Sequence, residues 1–300
     1  MPRSHPPTLI TLVARTLREE CGVTRGSRVL LALSGGGDSM ALLHVLAGLR
    51  SKQGFSLVAH GVDHGLRTAA AAELDLAAAA CAELGVAFSR SLLALPDGGN
   101  LQARARDARR AELTWAASEA QAEFIATAHH ADDRAETVLL RLLRGAGPQG
   151  LGVLPPRTDA WIRPQCRARK SDILAHLARH RRGFSEDPSN LNRRFLRTRV
   201  RSEVLPLLEQ LSPQVVAHLC ALADALRHSA AAPRDAEVEL NDEHGAVLVL
   251  NRAQRLMVGR ARSLGQRSAK VSLPNGRELT FDPVTLRPRI GAAPPRPRKR

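Results

Sequence analysis

Tyrosine is absent from this chain, and the other aromatics amount to six Phe and two Trp in 300 residues. A surface that recognises bases by ring stacking therefore has few platforms, and arginine planes would have to share the task. Long apolar runs are missing too. No stretch approaches the roughly eighteen residues that a membrane-spanning helix needs. The opening Met1-Pro2-Arg3-Ser4-His5-Pro6-Pro7 has no apolar core followed by a small-residue cleavage site, so the expectation is a cytoplasmic chain that is not exported. Cys21, Cys81, Cys166 and Cys220 are scattered without a C-x-x-C pair, which argues against a zinc or iron–sulfur site and suits a reducing compartment. Acidic residues are also scarce: 29 Asp and Glu stand against 44 Lys and Arg, for a net charge of +15. Lys52, Lys170, Lys270 and Lys299 are the only lysines. Mutational bias is one reading of the arginine preference; the excess of cation over acid still creates a field suited to a polyanion, nucleic acid first among them.

The length allows an α/β domain of ordinary size and a smaller second one. The most informative stretch begins with the apolar run Val29-Leu30-Leu31-Ala32-Leu33, continues through Ser34-Gly35-Gly36-Gly37-Asp38-Ser39 and passes into Met40-Ala41-Leu42-Leu43. It predicts a buried parallel strand, a glycine loop and a helix. Three glycines let the main chain take positive φ and leave no Cβ between backbone N–H groups and a phosphate. Asp38 or Ser39 is expected to cap the helix, whose N-terminus favours the same anion. A tight turn without ligand is the alternative. Neither the dinucleotide fingerprint G-x-G-x-x-G nor the Gly-Lys-Ser/Thr ending of a Walker loop is present. The remaining pattern, S-G-G-x-D-S, resembles the pyrophosphate loop of enzymes that cleave ATP to AMP and pyrophosphate.

Residues 8–20 predict an amphipathic helix, and 56–62 a second buried strand ending at Asp63, His64 and Arg67, where ligands sit in open α/β sheets. An alanine-rich helix over 68–84 and a third strand over 86–92 follow. In the next helix Arg104 and Arg110 are expected on a solvated face, whereas Arg106 and Arg109, three apart, could clamp a phosphate. A fourth strand, 124–127, opens into Ala128-His129-His130-Ala131-Asp132-Asp133-Arg134-Ala135-Glu136. His129, Asp132, Asp133 and Glu136 fall at helical spacings across a helix start. Carboxylates there can be mere caps, but so many titratable groups at the end of a strand exceed what capping needs, and magnesium would account for them. Ser171 is expected to cap a helix over 172–182. In it His176 and His180 are four apart, where a metal pair is the alternative to the expected basic solvated face. A basic stripe, Arg193, Arg194, Arg197, Arg199 and Arg201, leads toward the second domain. That domain contains a strand at 246–250, a helix near 252–264 and a hairpin of 270–273 against 277–280. A basic tail, 294–300, is expected to be disordered. No internal repeat is visible.

With Asp63-His64-Gly65-Leu66-Arg67, Arg106-Asp107-Ala108-Arg109, His129-His130-Ala131-Asp132-Asp133 and Glu186-Asp187-Pro188-Ser189-Asn190 in place, residues 26–206 resemble the tRNA(Ile)-lysidine synthase family. The resemblance implies an α/β fold: a parallel-sheet, adenine nucleotide alpha hydrolase-like PP-loop domain over 1–206, with a smaller α+β tRNA-binding domain over 207–293. It implies an ATP- and Mg2+-dependent ligase that joins L-lysine to C2 of the wobble cytidine of tRNA(Ile) with a CAU anticodon, through an adenylated cytidine. Codon reading then changes from AUG to AUA. In that scheme Ser34, Gly35, Gly36, Gly37, Asp38 and Ser39 cradle pyrophosphate, and Asp38 and Asp133 lie near magnesium. Arg106 or Arg109 stabilises charge on the α-phosphate. Asp63, Asp132, His129 and Glu136 hold the lysine amine and take its proton, without an order among them, and Arg193, Arg194, Arg197 and Arg201 hold the tRNA. Arg134 and Arg110 depart from the family pattern, which puts base contacts in question. The oligomeric state is open, a homodimer included. A tRNA cytidine 2-thiolase with the same loop is the nearest alternative, and it normally needs paired cysteines. A non-catalytic tRNA- or ATP-binding module is the other.

Overall fold

The computed structural model describes residues 7–63, 69–93, 101–185 and 195–231, together with the strand residues 271–273, 277–281 and 288–292. Strand β1 (Arg28–Ala32) is buried on both faces. Val29 and Leu31 enter one apolar cluster, and Leu30 and Ala32 another. This is why its sequence shows no polar alternation. β2 (Ser56–Asp63), β3 (Ala87–Leu92), β4 (Phe124–Ala126), β5 (Arg157–Thr158) and β6 (Trp161–Ile162) complete a six-stranded sheet in the order β3-β2-β1-β4-β6-β5. Only the β5–β6 pairing is antiparallel.

One face of the sheet is covered by α1 (Leu9–Thr16), α2 (Gly37–Gln53), α3 (Ala69–Glu83) and α7 (Lys170–Arg179), which contribute Leu9, Leu42, Leu46, Cys81, Ile173 and Leu177 to the larger cluster. The other face is covered by α4 (Leu101–Glu119) through Leu113, Ala116 and Ala117. The chain runs outward from β1 through β2 to β3, then returns to the opposite side of β1 as β4. The order therefore reverses between β1 and β4, and the crevice beyond the carboxyl ends of these strands is where open α/β sheets take ligands.

Four local expectations are corrected. The first helix does not run through to residue 20 as α-helix; it ends at Thr16 and continues as a π-helical turn, Leu17–Cys21. Helix α2 is capped by Gly36, with Asp38 and Ser39 already inside its first turn. Helix α7 begins at Lys170 and ends at Arg179, capped by the Asp172 carboxylate accepting from Arg169 N at 2.9 Å instead of by Ser171. His176, expected on a solvated face, is 7% exposed.

After α5 (Ala131–Leu143) and the short α6 (Pro148–Leu151), helices α8 (Leu196–Arg199), α9 (Leu205–Leu211) and α10 (Val215–Ala231) close this part of the chain. Leu205 of α9 and Val216 and Cys220 of α10 pack on Ala131 and Ala135 of α5. The compact unit accordingly extends to Ala230, whereas the sequence reading divides the chain after 206. The reason is Arg134, which is fully buried and whose Nη2 donates to Asp224 Oδ1 of α10 at 2.6 Å. Asp224 also accepts from Arg167. Arg134 thus faces α10 and fixes helix register.

Residues 231–300 form a second compact unit with a three-stranded antiparallel sheet, β7 (Val271–Leu273), β8 (Arg277–Phe281) and β9 (Pro288–Ala292), in that order. The β7–β8 hairpin has Val271 opposite Leu279 and Leu273 opposite Arg277. The strand read at 246–250, the helix near 252–264 and the tail at 294–300 lie outside the described residues. Among the described residues no helix is long and apolar enough to cross a membrane.

Burial alone would raise the Asp224 carboxyl, but hydrogen bonds from Arg134 and Arg167 hold it below the usual carboxylate range. Its contribution to stability is thus present above the unfolded-state pKa and lost as pH falls through the lowered folded value. Asp224→Asn, which leaves Arg134 buried and unpaired, should lower unfolding free energy by about 3 kcal/mol near neutral pH, with a smaller deficit below pH about 4. Urea titrations at several pH values measure both.

Candidate active site

The glycine loop leaves β1 at the switch point. Gly35 has φ +77°, and a Cβ there would meet the Glu73 carbonyl oxygen of α3 at 2.3 Å. Conformation and space both demand glycine at this position. The loop is tied internally: Ser39 Oγ donates to Gly36 O at 2.9 Å and lies 3.2 Å from Ser34 Oγ. From outside, Ser185 N donates to Gly35 O at 3.0 Å, and Phe184 packs 3.1 Å from the Gly37 Cβ position. Ser34, Gly35, Gly36 and Gly37 thus form a held bend at the N-terminus of a 17-residue helix, where the first N–H groups have no intrahelical acceptors.

Across the crevice, α5 starts at the end of β4 with His130 as its N-cap. Three carboxylates surround this 4%-exposed imidazole. Asp38 Oδ2 and Asp133 Oδ2 lie 3.8 and 3.5 Å from Nε2, and Asp132 Oδ2 lies 3.4 Å from Nδ1. Burial alone would push the ring down; the neighbouring carboxylates of Asp132, Asp133 and Asp38 outweigh it and raise the pKa. His129 differs. Burial dominates and pushes it down to about 4, so it stays neutral at physiological pH. Its Nδ1 lies 3.0 Å from Thr127 Oγ1, which in turn lies 3.4 Å from Ile162 O. With the hydroxyl donating to that carbonyl, Nδ1 carries the proton and Nε2 is the acceptor.

The carboxylates are matched by cations. Lys170 Nζ contacts Asp38 Oδ1 at 2.5 Å. Asp132 accepts from Arg169 Nη2 at 3.0 Å and Lys170 N at 2.8 Å, and these bonds, with His130, hold it well below the usual range against the upward push of burial. Glu136 is 1% exposed and takes Arg201 Nε at 2.5 Å and Arg197 Nε at 3.0 Å. Asp133 Oδ2 accepts from His130 N at 3.1 Å, and its Oδ1 lies 3.4 Å from both Arg197 and Arg201.

The structure thus brings Asp38, His129, Asp132, Asp133 and Glu136 together, with Arg197 and Arg201 turned inward onto them. The guanidinium of Arg109, partly buried on α4, makes no hydrogen bond or ion pair with any described residue, and burial pushes its pKa down. Arg106 is exposed on the same helix. Arg110 is more than a solvated face residue, since its guanidinium lies 4.6 Å over the Trp161 ring. Asp63 ends β2. His64, Arg67, Arg193, Arg194 and residues 186–190 lie outside the described residues. Sequence reading missed Arg169, Lys170 and Gln165, whose Nε2 bridges Asp38 O and Ala128 O at 3.1 and 2.8 Å. They follow β6, the strand beside β4, so the rule that ligands gather at carboxyl ends could have found them had that two-residue strand been recognised as part of the sheet. The four cysteines are buried and free; burial pushes Cys21 and Cys166 up to about 12 and Cys81 up to about 11. Among the described residues no three cysteines gather at one point.

Residues 9–208 match the family model for the PP-loop domain. Among curated proteins, the chain is 39% identical over 250 residues to the tRNA(Ile)-lysidine synthase of Xanthomonas axonopodis pv. citri, covering 80% of this chain and 55% of that one. It is 37% identical over 232 residues to the tRNA(Ile)-lysidine synthase of Thermobifida fusca, covering 76% and 71%. The chain spans about half the length of several of the curated relatives it matches, 49–55% in the Xanthomonas proteins. Among solved structures, a U34-tRNA thiolase from Methanococcus maripaludis with its [4Fe-4S] cluster superposes with a TM-score of 0.62 at 19% identity, over 80% of this chain and 86% of that one, which shows the shared fold.

Gly35→Ala should lower the melting temperature and weaken ATP binding at least tenfold, because an alanine there combines a left-handed backbone penalty of about 1–2 kcal/mol with a clash against main chain. Thermal melts and nucleotide titration check it; unchanged values in both would show that the bend tolerates a side chain.

Proposed function

The chain belongs to the tRNA(Ile)-lysidine synthase family, built on a PP-loop domain, and from that premise we propose that it ligates L-lysine to C2 of the wobble cytidine of a CAU-anticodon tRNA(Ile). ATP is converted to AMP and pyrophosphate. The cytidine C2 oxygen attacks the α-phosphorus and pyrophosphate departs. The neutral ε-amine of lysine then attacks C2, loses a proton, and AMP leaves carrying the former C2 oxygen. The product reads AUA in place of AUG.

The observation that carries this reading is the convergence at the switch point: a held glycine bend and the Asp38 and Asp133 carboxylates, 3.8 and 3.5 Å from one imidazole nitrogen. Magnesium takes one or two carboxylates and fills its shell with phosphate oxygens and water, and this pair of hard oxygens beside a phosphate bend fits it. Bound there it would neutralise phosphate charge. Arg109 supplies a cation for the α-phosphate at low solvation, where it acts most strongly. In this reading His129, neutral at physiological pH, accepts the amine proton, and Asp63 at the end of β2 holds the ammonium. Asp132 and Glu136, each holding two cationic residues, serve as positioning residues for Arg169, Lys170, Arg197 and Arg201. The guanidinium side chains of Arg197 and Arg201 remain 41% and 44% exposed, which leaves them a face for tRNA phosphate. The buried, dispersed cysteines disfavour the thiolase alternative, and the intact acid cluster disfavours a non-catalytic module.

The 300-residue chain incubated with tRNA(Ile) transcript, ATP, magnesium and lysine should yield lysidine in the nucleoside mass profile, with pyrophosphate release dependent on tRNA. Asp38→Ala and Asp133→Ala should abolish both, and Arg109→Ala should lower kcat by about 10²–10³. Lysidine formed at the normal rate by either aspartate variant would remove that residue from the site; a thiolated or unmodified cytidine from the unaltered protein would overturn the activity.

A further inference from the structure

Away from this crevice three histidines meet on the outer side of the α2–α7 pair. His44 of α2 faces His176 of α7 and His180, the C-cap of α7, with ring centroids 4.5–5.0 Å apart and planes inclined by 46–53°. Their ligating nitrogens all lie within 4.8 Å of one another, and His44 Nδ1 is 2.8 Å from His176 Nε2. We propose that His44, His176 and His180 form a zinc site that clips α2 to α7.

Two nitrogens on a tetrahedral zinc, with Zn–N of about 2.0–2.1 Å, lie roughly 3.3 Å apart, so the 2.8 Å pair opens by about half an ångström while the exposed His180 ring turns in to close the wider spacing. The proton shared between them is displaced to solvent. Burial pushes His176 down to about 4 and lowers His44, so both rings are neutral and ready to ligate. His180, exposed, leaves the fourth position to water. Imidazole without thiolate suits zinc and its neighbours in the first transition row. Two arginines are close: Arg182 is ion-paired with Glu83 at 2.5 Å, and Arg179 bears on His176. His44 and His176 each lie six residues beyond Asp38 and Lys170, about 9 Å along their helices. The clip would therefore hold together the two helices whose first turns carry the Asp38–Lys170 pair.

The test uses full-length protein stripped of metal and titrated with Zn2+ or Co2+ alone. One equivalent should bind, with a tetrahedral Co2+ visible spectrum and X-ray absorption fitted by three imidazoles. His180→Ala, a surface change, should weaken binding at least 100-fold, while Asp133→Asn should leave it unchanged. Absence of binding, binding indifferent to His180→Ala, or equal loss in Asp133→Asn would overturn the assignment. The spectroscopic readout on unaltered protein stands even where His176→Gln fails to fold.

Discussion

Charge balance at the carboxyl ends of β1 and β4 is the constraint on which the site depends. Asp38, Asp132, Asp133 and Glu136 crowd one crevice, and like charges this close in a partly buried setting repel strongly. Each is answered by a cation from another part of the chain: Lys170 for Asp38, Arg169 for Asp132, and Arg197 and Arg201 for Glu136 and Asp133. His130 sits among three of them. The acids therefore position α7 and α8 as much as those helices position the acids, and removal of any member leaves an uncompensated charge.

The glycine bend belongs to the same arrangement. Gly35 approaches α3 so closely that no side chain fits, and Ser185 N donates to the Gly35 carbonyl. Backbone amides can grip an anion only when their direction is fixed in advance, and these contacts fix the bend. The neighbouring pair His129 and His130 shows how strongly surroundings separate identical groups. One lies among carboxylates and is raised; the other, dominated by burial, is neutral. Two adjacent imidazoles thus differ in charge because of their surroundings alone.

Buried Arg134 illustrates the same physics used for architecture. A guanidinium enclosed between helices requires a partner, so Asp224 fixes how α10 lies on α5. The contact carries the compact unit past residue 206 to Ala230.

Local chemistry determined much of this protein in advance. The apolar run before Ser34, the three glycines and the dense His129–Glu136 block announce a strand, a tight glycine bend and an acid-rich helix start, because each depends on neighbours in sequence. The β7–β8 hairpin followed for the same reason. Long-range pairing was decided only by tertiary structure. Nothing near Glu136 in sequence indicates that Arg197 and Arg201 will saturate it, nor does anything near Asp38 name Lys170. His176 and His180 read as a basic face because His44, the residue that turns them into a cluster, lies on another helix 132 residues away from His176. Periodicity reports which face of a helix is apolar; which charged groups meet across a crevice depends on strand order and crossovers, and those are properties of the assembled sheet.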